Sequence, residues 1–243
     1  MTERLDGRTI LVTGANGGLG QEFVRQGLAR GARRVYASAR TPRPWDDDRV
    51  VPLALDLDNN ASITAAAAIA TDVDLLVNNA AIAPADDRSV LDGDEDVARR
   101  IFDTNFFGTL RVTNAFAPVL AVNGGGAILN VLSLAVWTPV PSAYAASKAA
   151  LWSATNALRL ELATQRTSVT GVMVGLIDTA MASEWDMPKV SPVSVVEQAY
   201  DGVARGDYEV LADEDTRTVK SLLGGRLEDI NAAYAEVIDA LIP

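Results

Sequence analysis

The chain has 243 residues, 49% of them hydrophobic, and contains neither cysteine nor histidine. That excludes disulfides, thiolate or imidazole metal sites, a cysteine nucleophile and a Ser-His-Asp triad, so proton chemistry falls to Tyr, Lys, Asp, Glu or hydroxyls. With 32 acidic against 21 basic residues the net charge is −11, which argues against nucleic acid or an anionic membrane as a partner.

The charged start, Met1 to Asp6, has no apolar segment of a secretory leader, and no apolar run reaches membrane-spanning length. A cytoplasmic protein is expected. Thr9-Ile10-Leu11-Val12 reads as a strand and runs into the glycine-rich stretch Gly14-Ala15-Asn16-Gly17-Gly18-Leu19-Gly20. A helical pattern follows through Phe23, Val24 and Leu28, and Gly31 closes it. Arg34–Ala37 and Val50–Leu55 read as strands, Ile63–Ala70 as an Ala-rich helix and Val73–Val77 as a fourth strand. A long helical pattern runs from Glu95 to Val122 with a break near Thr104. Then come a strand at Ala127–Val131, a helix at Ser142–Leu162 and a strand at Val169–Val174. Another helix starts near Pro192, Val210-Leu211 forms a short seventh strand, and Leu227–Leu241 is an amphipathic helix. The Pro-rich and acidic stretch from Thr41 to Asp48 is too short to separate domains. Strands apolar on both faces, alternating with helices, indicate a parallel sheet covered on both sides. The expected fold is α/β: a single doubly wound Rossmann domain over residues 1–243, with a mainly parallel seven-stranded sheet flanked by helices.

The glycine-rich stretch sits between a strand and a helix, where glycines let the backbone turn sharply and let a pyrophosphate approach the amides of the helix N-terminus. Gly14, Asn16, Gly17, Gly18, Leu19 and Gly20 are therefore candidate cofactor contacts. A plain glycine-rich turn would look the same in isolation. Ala39, at the end of the second strand, offers no carboxylate to a ribose 2′-hydroxyl, and Arg40 follows it. A guanidinium fork suits the 2′-phosphate of NADP, and Arg43 adds a second charge, so NADP (NADPH) is expected ahead of NAD. The alternative is a surface arginine in a polar loop.

Tyr144-Ala145-Ala146-Ser147-Lys148 places a phenol and an ammonium one helical turn apart. An ammonium beside a phenol lowers the phenol's pKa, and a phenol so tuned can give or take an alcohol proton. Ser133 lies just past the fifth strand, where its hydroxyl can hold a substrate oxygen beside Tyr144.

The spacing Thr-Gly-x-x-x-Gly-x-Gly at Thr13–Gly20 resembles the short-chain dehydrogenase/reductase family, and later motifs extend the resemblance to about Leu211. It implies a catalytic set of Asn105, Ser133, Tyr144 and Lys148, with Asn105 bending its helix and positioning a water that connects to the lysine. It implies that Asp56, beside Leu57, meets the adenine; capping of the next helix is the other reading of Asp56. Asn78-Asn79-Ala80-Ala81 is similar to the family's Asn-Asn-Ala-Gly, with Asn78 and Ala80 lining the cofactor and steadying the sheet. Val174-Gly175-Leu176-Ile177-Asp178-Thr179 is similar to the family's Pro-Gly-x-Val-x-Thr, with Val174 in place of Pro. Gly175, Ile177 and Thr179 would hold the nicotinamide carboxamide end, and Tyr144 and Lys148 the adjoining ribose. No metal is implied.

The expected substrate is a small ketone or aldehyde, or the matching alcohol. Trp137, Met181, Trp185 and Met187 would form an apolar wall, or pack as ordinary core. The interval from Ser133 to Tyr144, 11 residues, is shorter than in many relatives. The family resemblance further implies a homodimer or homotetramer. A noncatalytic dinucleotide-sensing protein on the same fold is the alternative, and the presence of both Tyr144 and Lys148 counts against it. A sugar-nucleotide epimerase would want a longer C-terminal substrate domain and a different glycine spacing.

Overall fold

The computed structural model describes residues 5–235. The charged start before Leu5 and the part of the expected C-terminal helix beyond Ala235 lie outside the described residues. Seven strands form one sheet: β1 (Thr9–Thr13), β2 (Arg34–Ala39), β3 (Val50–Ala54), β4 (Leu75–Asn78), β5 (Gly126–Val131), β6 (Thr167–Met173) and β7 (Glu209–Leu211). Their order is β3-β2-β1-β4-β5-β6-β7 and every pairing is parallel. The chain direction across the sheet reverses between β1 and β4, which opens a crevice at their carboxyl ends.

The helices are α1 (Gly18–Ala29), α2 (Asn60–Ile69), α3 (Glu95–Phe102), α4 (Thr109–Val122), α5 (Ala143–Glu161), α6 (Pro192–Arg205), α7 (Glu214–Leu222) and α8 (Leu227–Ala233). Strand alternation sorts the core into two faces. Ile10 and Val12 pack with Phe23 of α1 and Val195, Val196 and Ala199 of α6. Leu11 faces the other way, with Ile63 of α2, Phe116 of α4 and Leu158 of α5. Gly27 lets α1 lie close on the sheet, since a Cβ there would stand 2.9 Å from Ile10 Cδ1. A third cluster joins Leu132, Leu134, Trp137 and Leu151 to Val219 of α7 and Ile230 of α8.

The crossover from β2 to β3 is only residues 40–49 and contains no helix. A parallel connection usually takes a dozen residues or more. Here the Pro-rich loop runs along α1: Asn16 Nδ2 donates to Thr41 O at 2.8 Å near one end, and Arg49 Nη1 approaches Leu28 O at 3.5 Å near the other. Trp45 packs from this loop against the α1–α6 core, where a helix would otherwise sit. The short α7 is not anticipated by the periodicity of its sequence. It starts because the Asp213 carboxylate accepts the Thr216 N–H at 2.7 Å, and it stays because Val219 is fully buried.

Candidate active site

The crevice between β1 and β4 is closed at its base by the glycine turn. Gly14 adopts φ +68, and a Cβ there would meet Ala80 Cα at 3.0 Å. A Cβ at Gly20 would lie 2.2 Å from Gly14 O, so the first turn of α1 can only follow this path with glycine. Helices α2, α3, α5, α6 and α7 begin at side-chain caps, namely Asn59, Asp94, Ser142, Ser191 and Asp213. Helix α1 begins on Gly17 with none, so no side chain competes for its N-terminal amides. Gly18 also touches the far wall, since a Cβ on it would stand 3.2 Å from Thr179 Cγ2. Arg40 is exposed at the end of β2 with no ion pair among the described residues, and the Arg43 guanidinium lies 4.2 Å over the Trp45 ring. This donor set, an open helix N-terminus that shares a pocket with Arg43, and an exposed Arg40 at the end of β2, fits a dinucleotide phosphate.

Three expected contacts are placed differently from a side-chain role in an open cleft. Asn78 is buried and donates to Thr113 Oγ1 at 3.1 Å and Asn130 Oδ1 at 2.9 Å, so its amide joins α4 and β5 to β4. Leu57 packs in the core below α4 while its carbonyl accepts from Arg111 at 3.2 Å. Asn16 turns its amide to Thr41, as above, and ties the glycine turn to the β2–β3 loop. Asp56 stays partly exposed, and the cap of α2 is Asn59 instead. Ala80 is anchored by its own backbone, its N–H donating to Thr13 Oγ1 at 3.0 Å.

The second wall carries the titratable groups. Ser133 lies two residues past β5 and caps the turn at Leu134–Val136, its hydroxyl accepting the Ala135 N–H at 3.1 Å. It also hydrogen-bonds the hydroxyl of Tyr144, in the first turn of α5. One turn on, Lys148 is 3% exposed; its Nζ donates to Val131 O at 2.8 Å and lies 5.7 Å from the centre of the Tyr144 ring. Asn105 sits in a π-helical turn, Asp103–Gly108, between α3 and α4. Its amide clasps the backbone of Ile82, accepting the N–H at 2.8 Å and donating to the carbonyl at 2.9 Å. It also reaches Ser147 Oγ at 3.3 Å, and that hydroxyl donates to Tyr144 O at 2.7 Å. The four sequence-predicted residues thus converge on one end of α5.

The electrostatics correct one expectation. Burial raises the Tyr144 phenol above its ordinary value, and the Ser133 hydrogen bond only partly offsets this. Lys148 does not lower it here, because burial pushes the lysine itself down to about 8 and its ammonium is turned to Val131. Trp137 takes the second of its two readings. It is a core residue, set edge-on to Trp152 at 6.0 Å with Lys220 Nζ 4.6 Å from its ring, and it does not line an open wall.

Two carboxylates escaped the sequence reading. Asp213 caps α7 and also accepts the Gly175 N–H at 2.7 Å, fixing the turn that leads to Ile177 and Thr179. Asp87 accepts two backbone amides at the start of α5. No local motif marks the bond of Asp213 to Gly175 or those of Asp87 to α5, since these partners come from distant parts of the chain. The segment after Thr179 is pinned where Val190 bridges Ile177, with Val190 N donating to Leu176 O at 2.7 Å. Met181 is exposed on it, and Trp185 and Met187 are half-buried.

Comparison with known proteins places these motifs. Residues 8–189 match the short chain dehydrogenase family. A short-chain dehydrogenase from Penicillium crustosum is 35% identical over 193 residues, 72% of this chain and 68% of its own. An NADP-dependent 3-hydroxy acid dehydrogenase from Schizosaccharomyces pombe is 34% identical over 192 residues, 72% of this chain and 74% of its own. A short chain dehydrogenase from Burkholderia cenocepacia, solved in complex with NADP, superposes with a TM-score of 0.88 at 35% identity, over 94% of this chain and 98% of that one. Sheet order, glycine turn and sequence agree, and the chain belongs to the short-chain dehydrogenase/reductase family of oxidoreductases.

Proposed function

We propose that this protein is an NADP(H)-dependent oxidoreductase that moves a hydride between the nicotinamide and a ketone or aldehyde, or back from the alcohol. The observation that carries the reading is the convergence of Ser133, Tyr144 and Lys148 at the start of α5, at the carboxyl end of the same parallel sheet that carries the glycine turn. The bound nicotinamide supplies or takes up the hydride. Tyr144 delivers the proton to the carbonyl oxygen in reduction and recovers it in oxidation. The Ser133 hydroxyl donates to the same oxygen as negative charge develops there. Lys148, lowered to about 8 by burial, exchanges a proton at working pH. Asn105 keeps the Ile82 backbone and the Tyr144 turn in register.

Arg40 and Arg43 support NADP over NAD, and so do the NADP-bound Burkholderia relative and the NADP-dependent yeast one. Met181, Trp185 and Met187 support an apolar carbonyl substrate. Assembly into a dimer or tetramer belongs to the same reading, supported by the exposed Phe107 and Leu160.

The test is fluorescence titration with NADPH and NADH side by side, on the wild type and on Tyr144→Phe, followed by a panel of apolar ketones. NADPH should bind both proteins alike and more tightly than NADH. Turnover by Tyr144→Phe should fall by about a hundredfold or more. Binding of neither dinucleotide overturns the reading, and near-full activity of the Phe variant overturns the role of Tyr144.

A further inference from the structure

The connection from β4 to α3 carries two consecutive charged side chains that engage different elements. The Asp87 carboxylate accepts the Ala143 N–H on Oδ1 at 2.8 Å and the Tyr144 N–H on Oδ2 at 2.7 Å. Ser142 already caps α5 by accepting the Ala145 N–H at 3.1 Å. Asp87 is therefore a second acceptor, brought from a distant loop to the two amides that the cap leaves open. A carboxylate across two adjacent amides fixes orientation as well as distance, and an anion is favoured at a helix N-terminus. One of the two amides is that of Tyr144 itself.

The next residue turns to the other side of the cleft. Arg88 Nη2 lies 3.2 Å from Glu184 Oε2, and its guanidinium carbon is 5.0 Å from the centre of the Trp185 ring. Arg88 Nε donates to Ala85 O at 2.7 Å, which closes the loop on itself. Glu184 and Trp185 lie on the segment that follows Thr179, over the proposed substrate side. The two contacts differ in character. Asp87 bonds main-chain amides at the start of a long helix, whereas Arg88 makes a half-exposed ion pair and a ring contact that can open.

We infer that Asp87 and Arg88 act as a clamp at the substrate mouth, with Asp87 a positioning residue for Tyr144 and Arg88 the holder of the 180–189 segment over the same site. The inference rests on Tyr144 being the proton donor. It gives the two residues separable effects. Asp87 sets where the phenol stands relative to Ser133, so it governs the chemical step. Arg88 sets how the substrate is enclosed, so it governs substrate affinity.

The experiment uses the full chain with Asp87→Ala, Asp87→Asn and Arg88→Ala, and the charge-swapped pair Arg88→Glu with Glu184→Arg. For Asp87→Ala, kcat should fall by about tenfold to a hundredfold with NADPH affinity unchanged, as expected for a misplaced reacting group. Asp87→Asn should fall between Asp87→Ala and the wild type, since its amide oxygen can accept one of the two N–H groups. For Arg88→Ala, substrate KM should rise by about fivefold or more while kcat stays within about twofold, and the charge-swapped pair should recover part of that loss. Hydrogen exchange at the Ala143 and Tyr144 amides should speed up in both Asp87 variants and not in Arg88→Ala. That readout needs no substrate. If the wild type reduces no carbonyl, the proposed function fails while exchange still judges the clamp. Unchanged exchange at those two amides overturns the role of Asp87, as does wild-type kcat in Asp87→Ala. An unchanged KM in Arg88→Ala overturns the role of Arg88.

Discussion

Tyr144 and Lys148 are both pushed toward their neutral forms by burial, and the effect on Lys148 is large enough to appear in stability. Its ammonium has one strong acceptor, the Val131 carbonyl, and almost no water. Its folded pKa of about 8 lies below the ordinary 10.5. Between those values the unfolded chain binds a proton that the folded chain has released, so stability rises with pH across that window. Below pH 8 the burial penalty is fully present, on the order of 3 kcal/mol. Replacing Lys148 by Met removes the charge and keeps the volume. Its melting temperature at pH 7 should exceed the wild type's by about 2 to 6 °C, with the gap closing toward pH 10.5 and turnover lost. A lower melting temperature at pH 7 would show that the hydrogen bond to Val131 outweighs the desolvation. The pairing of Tyr144 with Lys148 was legible in the sequence because one helical turn fixes it. The direction of their shifts was not, because it depends on how much water the fold removes. Trp137 shows the same limit: its chemistry suits a pocket wall, and only packing against Trp152 and Lys220 assigns it to the core.

Scattered along the chain, four polar side chains hold β4, β5, α4 and α5 together beneath the site. Asn78 Nδ2 donates to Thr113 Oγ1 and Asn130 Oδ1, and Asn130 Nδ2 donates to Thr155 Oγ1 at 2.9 Å. The Thr155 hydroxyl in turn donates to Leu151 O at 2.7 Å. Thr155→Val keeps the shape and strands the Asn130 amide in the core. It should destabilise the protein by about 1 to 3 kcal/mol, read as a shifted urea midpoint with unchanged slope. An unshifted midpoint would mean that Asn130 finds another acceptor. Strands and long helices were legible because apolar alternation and period are local. The break near Thr104 was legible too, and its form has a physical cause. A Cβ at Gly108 would stand 2.8 Å from Leu57 Cβ, so the helix passes close over β3's exit and takes a wider turn there, with Thr109 Oγ1 donating to the Asn105 carbonyl at 2.9 Å. Helix α7 was illegible because only Val219 and Leu222 of its residues are large and apolar.

Across the molecule the seven-stranded, mainly parallel sheet followed from the alternation of strands and helices, and the structure makes it parallel throughout. A sheet of this kind joins residues far apart in sequence. Ile10 pairs with Leu75, 65 positions on, and Leu75 with Ala127, 52 positions on. The helix-free crossover is the exception, since Val35 pairs with Val50 only 15 positions away. Loop closure grows with the logarithm of length, so this edge pair forms with an entropic advantage of about 1.3 kcal/mol over β1 with β4. The packing of Trp45 on α1 adds a local apolar contact to that early pair. If loop closure sets the order of assembly, this edge pair forms first. Val50→Ala should slow refolding, whereas Val210→Ala, on the opposite edge, should mainly speed unfolding. Chevron analysis of the two variants separates the cases, and a refolding arm unmoved by Val50→Ala would place the start elsewhere. The same ten residues that carry Arg40 and Arg43 would then also be where the chain begins to fold.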